Sequence, residues 1–403
     1  MFLHNTTSDY GKPLLPVDAV TLGIEAADEV ERYLHFRPDH AETPLVSLPG
    51  LAASVDVGSI HIKDEGQRLG LGSFKALGGA YAVIQLVLEA AASSLGRSLD
   101  ISDLHTPDVR AVARTLTFAC ATDGNHGRSV AHGAQLVGAR AAIFMHSRVS
   151  DERVSAIARF GADILRVNGT YDDSVREAAR VAEENAWTIV SDTSWTGYER
   201  IPGLVMQGYT ALVREALRTM PDLPTHVFIQ SGVGGIAAAV FGHLAVTLGD
   251  KRPRSVVVDP ARAACVVESA RAGRPVRIGH SEPTVMAMLE CYEPSLVAWR
   301  ILSRVADGFM TVEEDEAISV MRRLANPIGN DPAIVAGESG GVGLAGLLKA
   351  ASDPAIRNAL DLDRDSRVFL VNTEGATDPR KFEELVGQTP AAVAARNRMG
   401  DKA

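Results

Sequence analysis

From Thr115 onward the chain alternates short runs of β-branched and apolar residues with amphipathic stretches. This alternation is typical of βα units, which build a mostly parallel sheet with helices packed on it. The predicted strands are residues 115–122, 140–145, 164–167, 188–192, 225–230, 255–259 and 367–372. About seven strands and a larger number of helices exceed one small sheet, so the pattern predicts two α/β domains. A length of 403 residues agrees with two or three packed units.

Charge and hydropathy favour a small-molecule partner. The formal net charge of −10 argues against general affinity for nucleic acid or anionic lipid. The N-terminus lacks a basic region followed by an apolar run, and no apolar stretch reaches the ~20 residues of a membrane span. We therefore expect a cytoplasmic protein with neither a nucleic-acid nor a membrane partner. The three cysteines lack metal-ligand spacing, so we expect no metal and mainly free thiols.

Glycines concentrate at predicted junctions between strands and helices, in residues 70–79, 124–127, 232–235 and 337–341. Such turns need a permissive backbone, and they bring the amides of a helix N-terminus to the edge of a sheet, where anions bind. The clusters therefore predict where a cofactor lies.

The cluster at 232–235 has more than one interpretation. It follows a predicted strand and precedes an apolar helix, so its amides could surround a phosphate. Read as G-x-G-x-x-A, with Asp259 standing 22 residues beyond Ala237, it also fits a dinucleotide fingerprint. This motif alone does not distinguish between a plain tight turn, a nucleotide site and a monophosphate site.

A lysine stands at the start of the helix that follows the first cluster. The apolar stripe Phe74, Leu77, Tyr81, Ile84 and Leu88 predicts a buried face, with Ser73 as the cap. Lys75 then faces the positive end of the helix dipole, and both the dipole and burial would lower its pKa. This environment suits an amine that attacks a carbonyl, although an ordinary solvated lysine is the commoner case.

A third cluster places a carboxylate, a carboxamide and an imidazole within four residues. Asp123, Asn125 and His126 lie between a predicted strand and a helix. The plain alternative is an Asx-type cap beside a surface histidine.

Together these motifs resemble the tryptophan-synthase-β-like (fold type II) family of pyridoxal-phosphate enzymes. Ser73-Phe74-Lys75 resembles its S-x-K motif, Gly124-Asn125-His126-Gly127 its G-N-x-x-G loop, and Gly232 to Gly235 its phosphate cup. The diaminopropionate ammonia-lyase branch is more similar still. The matching stretches are residues 63–65, 70–71, 121–128, 192–195, 197–198, 201–202, 206–209, 284–287, 337–340 and 373–375.

This resemblance implies a fold and a domain division. The fold has two open, twisted, mostly parallel sheets with helices on both faces and the cofactor between the domains. Residues 1–85 and 203–403 would form the large cofactor-binding domain, and residues 86–202 a smaller inserted α/β domain. A homodimer is also implied.

The resemblance further implies the residues that bind pyridoxal 5′-phosphate. Lys75 would hold the cofactor covalently, Phe74 would pack near the ring, Asn125 would meet the phenolic oxygen and Thr373 the pyridine nitrogen. A hydroxyl at the pyridine nitrogen suits elimination better than transamination. The phosphate would bind the amides of Gly232, Val233, Gly234 and Gly235.

The implied reaction is α,β-elimination of 2,3-diaminopropionate to pyruvate and two molecules of ammonia. Lys75 can be the base on one face of the substrate. Asp123 stands where many serine and threonine dehydratases carry serine, so it provides a second base suited to the opposite enantiomer, and both the D- and L-isomers would react. Asp192 would pair with the substrate's second ammonium, because an unpaired buried charge is unfavourable.

Three other functions remain as alternatives. One is a non-catalytic amino-acid-binding protein, against which Lys75 and the acidic residues argue. A serine or threonine dehydratase keeps the cofactor and changes the leaving group. A nicotinamide-dependent oxidoreductase would use Gly232, Gly234, Ala237 and Asp259, but it gives Lys75 no role.

Several residues receive no firm role. His126 either serves the cofactor pocket or caps its helix, and Glu338 and Ser339 are assigned no step. In the family pattern Cys265 and Cys291 lie near the entrance of the site, so a labile disulfide is the alternative to free thiols.

Overall fold

The computed structural model describes residues 1–122, 124–147 and 149–400. Its strands are β1 (Phe2–His4), β2 (Leu45–Ser47), β3 (Ser59–Asp64), β4 (Thr117–Ala121), β5 (Arg140–His146), β6 (Asp163–Val167), β7 (Thr188–Ile189), β8 (His226–Gln230), β9 (Arg254–Pro260), β10 (Gly308–Val312) and β11 (Arg367–Asn372).

Helices connect and cover these strands. The α-helices are α1 (Pro16–Thr21), α2 (Ile24–Phe36), α3 (Pro49–Ser54), α4 (Lys75–Leu95), α5 (Pro107–Ala113), α6 (Asn125–Val137), α7 (Asp151–Ala158), α8 (Tyr171–Asn185), α9 (Arg200–Thr219), α10 (Gly235–Leu248), α11 (Cys265–Ala272), α12 (Leu296–Val305), α13 (Glu314–Ala325), α14 (Val342–Ser352), α15 (Pro354–Ala359), α16 (Pro379–Val386) and α17 (Pro390–Gly400). Short 3₁₀ helices span Glu65–Gly70, Ile101–His105, Gly249–Lys251, Ala261–Ala263 and Ala287–Leu289.

The strands form two sheets. A seven-stranded sheet has the order β1-β10-β9-β8-β11-β3-β2. Its inner pairs are parallel, and the two edge strands β1 and β2 are antiparallel to their neighbours. A four-stranded sheet has the order β6-β5-β4-β7 and is parallel throughout. The predicted pair of open, mostly parallel sheets is therefore confirmed, while the domain boundaries at residues 85–86 and 202–203 stay a prediction.

Helices cover both faces of the larger sheet because successive residues of a strand point to opposite sides. In β8, Val227 and Ile229 belong to one apolar cluster with residues of α10 and α12. Phe228, between them, belongs to a second cluster with residues of α13 and α14. The three central residues of β8 are therefore all apolar, as expected of a strand covered on both faces.

The sequence pattern located strands of both sheets but not the outer strands of the larger sheet. Each of the seven predicted strands is present, with bounds that differ by no more than a few residues. It missed β1, β2, β3 and β10. The two edge strands have only three residues each, which is too short to show the alternation of apolar and polar residues that indicates a strand. Strand β3 includes the polar residues His61 and Lys63.

Helix α4 carries the predicted buried stripe and packs against α6 and α9. Leu77, Tyr81 and Ile84 are fully buried. A β-carbon on Gly78 would lie 2.6 Å from the carbonyl oxygen of Val205 in α9, so only glycine permits this close approach. By length and composition α4 could also cross a membrane, but 67% of its most apolar window is buried inside the protein. The core helix of a globular protein passes the same test, so this is weak evidence for a membrane span.

A buried ionic cluster fixes the segment that leads to α4. It consists of Thr43, Lys63, Glu65, Arg68 and Glu215, all of them buried. Glu215 Oε2 accepts hydrogen bonds from Lys63 Nζ and Arg68 Nη2, both at 2.6 Å, and Arg68 Nε donates to Glu65 Oε2 at 2.7 Å. Two cations and two carboxylates balance, so the cluster is electrically neutral. It ties the 3₁₀ helix Glu65–Gly70 to α9 and to β3.

Candidate active site

The candidate catalytic lysine is the first residue of α4. The segment before it is held by main-chain bonds: Phe74 N donates to Thr373 O at 3.0 Å, and Ser73 forms an isolated bridge with Glu374. Ser73 does not cap the helix as predicted: the N-cap position is Phe74, and no side-chain cap bond to α4 is found among the described residues. The ring of Phe74 is buried and meets Tyr209 edge-on, with 4.7 Å between ring centroids.

Lys75 forms an ion pair with Asp192. Lys75 Nζ donates to Asp192 Oδ2 at 2.8 Å, and the two side chains are 21% and 19% exposed. Burial lowers the pKa of Lys75, but the charge and hydrogen bond of Asp192 outweigh burial and place that pKa above its ordinary value. Burial would likewise raise the pKa of Asp192, whereas Lys75 holds it well below its usual range. The expectation of a lowered lysine pKa is therefore wrong here, because the lysine has an anionic partner.

His126 lies near the same oxygen of Asp192. Its Nδ1 atom is 3.9 Å from Asp192 Oδ2, and its Nε2 atom lies 2.8 Å from Val190 O. Burial lowers the pKa of His126, so the ring is neutral at pH 7 and Nε2–H donates to the carbonyl. The residue is thus a buried member of the site rather than a surface cap.

Asn125 and Thr373 face the same region from different elements. Asn125 Nδ2 donates to Glu374 Oε2 at 2.7 Å. Thr373 Oγ1 accepts a hydrogen bond from Gln230 Nε2 at 2.9 Å. Phe74, next to Lys75, bonds to Thr373, and Asn125 bonds to Glu374, next to Thr373. These bonds bring together Lys75, Asn125 and Thr373, the three residues predicted to contact the cofactor ring.

The glycine loop between β8 and α10 lies beside this group. Gly234 has φ +98°, in the left-handed region, and a β-carbon there would lie 3.1 Å from Ala298 Cβ. A β-carbon on Gly232 would lie 3.0 Å from Cys291 Sγ, and one on Gly235 would lie 3.8 Å from Asp192 O. The loop is therefore a close-fitting turn at a helix N-terminus, next to the Lys75–Asp192 pair, where a phosphate fits.

Asp259 does not have the position that a dinucleotide site requires. It is fully buried at the end of β9, where its Oδ2 atom accepts hydrogen bonds from Val266 N and Val267 N, both at 3.0 Å. Burial raises its pKa to about 8. The carboxyl caps α11 and is not free for a ribose, which removes the main support for the oxidoreductase alternative.

Asp123, the predicted second base, lies outside the described residues. Its neighbour Gly124 donates its backbone amide to Thr122 Oγ1 at 3.1 Å. Cys265 is a free thiol, and its Sγ atom donates to Gly232 O at 3.3 Å.

Two carboxylates at the site received no role from the sequence. Glu374 is buried, and Glu338 lies near it in the loop of residues 337–341. Burial, followed by the negative charge of Glu374, raises the pKa of Glu338 to about 7. Glu374 lies in the stretch Thr373-Glu374-Gly375, one of the motifs that carry the family resemblance. That motif was the one indication in the sequence that Glu374 lies at the site.

Comparisons with known proteins agree with this geometry. A family model described as "Pyridoxal-phosphate dependent enzyme" matches residues 36–374. The chain is 40% identical to diaminopropionate ammonia-lyase of Escherichia coli (strain K12) over 366 residues, which cover 89% of each protein. It is similar in structure to the holo form of diaminopropionate ammonia lyase from Escherichia coli, with a TM-score of 0.86, 36% identity and 96% of each chain covered. The same enzyme in complex with an aminoacrylate-PLP azomethine reaction intermediate matches with a TM-score of 0.85, at 36% identity and with 96% of each chain covered.

Proposed function

The chain belongs to the family of pyridoxal-phosphate-dependent enzymes, and we propose that it eliminates ammonia from 2,3-diaminopropionate and that one molecule of water then hydrolyses the product, releasing pyruvate and a second molecule of ammonia. The observation that carries this proposal is the Lys75–Asp192 pair, with 2.8 Å between Nζ and Oδ2, beside a glycine loop at a helix N-terminus. The bound cofactor would withdraw electrons from the substrate's α-carbon and so make its α-hydrogen acidic.

The residues present fit this cofactor. Lys75 would hold it covalently, and the 232–235 loop would receive its phosphate, since this loop leads into the N-terminus of α10, where backbone amides bind anions. Asn125 would donate to the phenolic oxygen. The Thr373 hydroxyl would meet the pyridine nitrogen without imposing a full positive charge on it, which favours elimination over transamination.

Lys75 would take a proton from the substrate, and Asp192 would stabilise the positive charges in the pocket. The Lys75 amine, once released from the cofactor, would take the α-hydrogen from one face of the substrate, and the proton on Nζ would be stabilised by Asp192 Oδ2. Asp192 also offers an anion to the second ammonium of diaminopropionate in a mostly buried pocket, where an unpaired charge is unfavourable. A substrate with a hydroxyl leaving group has no use for this anion, so Asp192 favours the diamine.

Asp123 would provide the base for the opposite face. Its place in the sequence, two residues before Asn125, supports this role. With bases on both faces, the enzyme would accept D- and L-diaminopropionate. We expect Asp123→Asn to lose mainly the activity on the D-isomer, measured as pyruvate release from each enantiomer; an equal loss on both isomers would contradict the assignment of faces.

Covalent labelling tests the role of Lys75. Borohydride reduction of the holoenzyme, followed by peptide mass mapping, should place a pyridoxyl group on Lys75, and the Lys75→Ala variant should carry none at that peptide. An unmodified Lys75 in active enzyme would overturn the proposal.

We also propose that the protein is cytoplasmic and, on the strength of the family resemblance, that it is a homodimer. Light scattering of the purified holoenzyme should give twice the mass of one chain. A mass equal to one chain in active enzyme would contradict the inference.

A further inference from the structure

Glu374 contacts three segments that build the site. It follows Thr373 directly after β11, and its side chain is almost fully buried. Its main chain pairs with Ser73, two residues before Lys75. Its carbonyl oxygen accepts a hydrogen bond from Gly337 N at 3.0 Å, at the start of the glycine-rich loop of residues 337–341.

The carboxylate of Glu374 makes its shortest hydrogen bond to Asn125. Oε2 accepts from Asn125 Nδ2 at 2.7 Å, whereas the bonds from Ser339 N to Oε1 and from Thr377 Oγ1 to Oε2 are 3.3 and 3.4 Å long. Asn125 is the first residue of α6 and is itself buried. The bond therefore links the loop before α6 to the end of β11.

A carboxylate at this position fixes which way the Asn125 amide points. An amide has one accepting oxygen and one nitrogen with two donor hydrogens, while an ionised carboxylate can only accept. Burial raises the pKa of Glu374, whereas the hydrogen bond from Asn125 favours the ionised form. Because Oε2 accepts from Asn125 Nδ2, Glu374 holds the nitrogen of Asn125 toward itself and engages one of its two hydrogens. The second hydrogen remains available for another acceptor.

We propose that Glu374 is a positioning residue, which orients the amide of Asn125 so that its second N–H meets the phenolic oxygen of the bound cofactor ring. The proposal rests on the proposed role of Asn125. The phenolic oxygen carries negative charge when it accepts such a bond, and hydrogen bonds to charged groups are the stronger ones. Loss of the acceptor at residue 374 lets the amide rotate, so the cofactor loses this donor.

Three variants of Glu374 separate the acceptor from the charge. Glu374→Gln keeps an acceptor oxygen at the same reach without the charge, Glu374→Asp keeps the charge but withdraws it by one methylene, and Glu374→Ala removes both. The measurements are the affinity of the apoenzyme for pyridoxal 5′-phosphate and the visible absorption band of the bound cofactor, which reports the protonation of the phenolic oxygen. We expect the Asp and Ala variants to bind the cofactor about tenfold or more weakly, the loss of one hydrogen bond to a charged group, and to shift the band to shorter wavelength. The Gln variant keeps the acceptor oxygen but also carries an amide nitrogen that can donate to Asn125 Oδ1, so it should fall between the wild type and Glu374→Ala in both.

Glu338→Gln is the matched control, since it neutralises a neighbouring buried carboxyl without touching Asn125. It should leave the absorption band in place. Thermal unfolding of each apoprotein verifies that the variants fold.

Asn125→Ala, measured in parallel, separates this inference from the proposed role of Asn125. If Asn125→Ala leaves the band and affinity unchanged, Asn125 does not meet the phenolic oxygen, and both proposals are wrong. If Asn125→Ala changes the band while Glu374→Ala does not, only the positioning role is wrong. Rescue by Asp rather than by Gln would show that charge and not acceptor position matters, and would equally overturn the inference.

Discussion

Replacing Glu215 by glutamine removes a negative charge that two buried cations share. In the buried ionic cluster both carboxylate oxygens of Glu215 are engaged, by Lys63 at 2.6 Å and by Arg68 at 2.6 and 2.8 Å. Glu215→Gln keeps the shape but leaves two cations against one carboxylate, that of Glu65. Breaking a buried pair in this way typically lowers the free energy of unfolding by about 3–5 kcal/mol, because an uncompensated charge stays buried.

Urea unfolding of the apoenzyme, followed by circular dichroism, measures this loss. The double variant Lys63→Met/Glu215→Gln leaves one cation and one carboxylate, so charge balance returns. We expect the double variant to recover part of the loss, with a coupling free energy of about 1–3 kcal/mol between the two sites.

The control is Glu177→Gln in α8, where Glu177 pairs with Arg180 at the surface. We expect no change in the unfolding midpoint beyond experimental error, since exposed pairs contribute little. If Glu215→Gln is as mild as this control, or if the double variant is no better than the single one, the cluster does not hold the segment before α4 as argued. The cofactor affinity should fall with stability, because that segment leads to Lys75.

Three further predictions concern other parts of the site. Gly234→Ala should lower the free energy of unfolding by about 1–2 kcal/mol, because φ is +98° there, and should weaken cofactor binding; Gly279→Ala, in open space, should do neither, and equal effects would contradict the close fit of the loop. Burial raises the pKa of Asp259 from 3.8 to about 8, so its contribution to stability is present below pH about 4 and is lost as the pH rises toward 8. The thermal midpoint of the wild type should therefore fall more steeply over this range than that of Asp259→Asn, and parallel curves would refute this. Asp192→Asn removes the counter-charge that raises the pKa of Lys75, so the pH midpoint for the rate of cofactor reattachment to apoenzyme should move to lower pH; an unchanged midpoint would show that Asp192 does not control the amine.

The central strands and the glycine loops could be predicted from the sequence because their signals are local. Residues 227–229 are apolar on both faces and are soon followed by the glycine cluster, so the signals for the strand, the turn and the helix start all lie within about a dozen residues. The short edge strands gave no such signal, since three residues cannot show a period.

The electrostatics of the site could be predicted only in part. The position of Lys75 at a helix start is visible in sequence, but its pKa depends on Asp192, which lies 117 residues further along the chain. The bond between Asn125 and Glu374 joins residues 249 apart. Spacing carries no information about such contacts, because they arise only when the sheets and helices pack.

The product analysis with both enantiomers of 2,3-diaminopropionate tests the proposed function most directly. The holoenzyme should release one pyruvate and two ammonia from each enantiomer, with much lower turnover of serine and threonine, and Lys75→Ala should release neither product. Preferential turnover of serine or threonine, or undiminished elimination by Lys75→Ala, would contradict the assignment of this site to diaminopropionate.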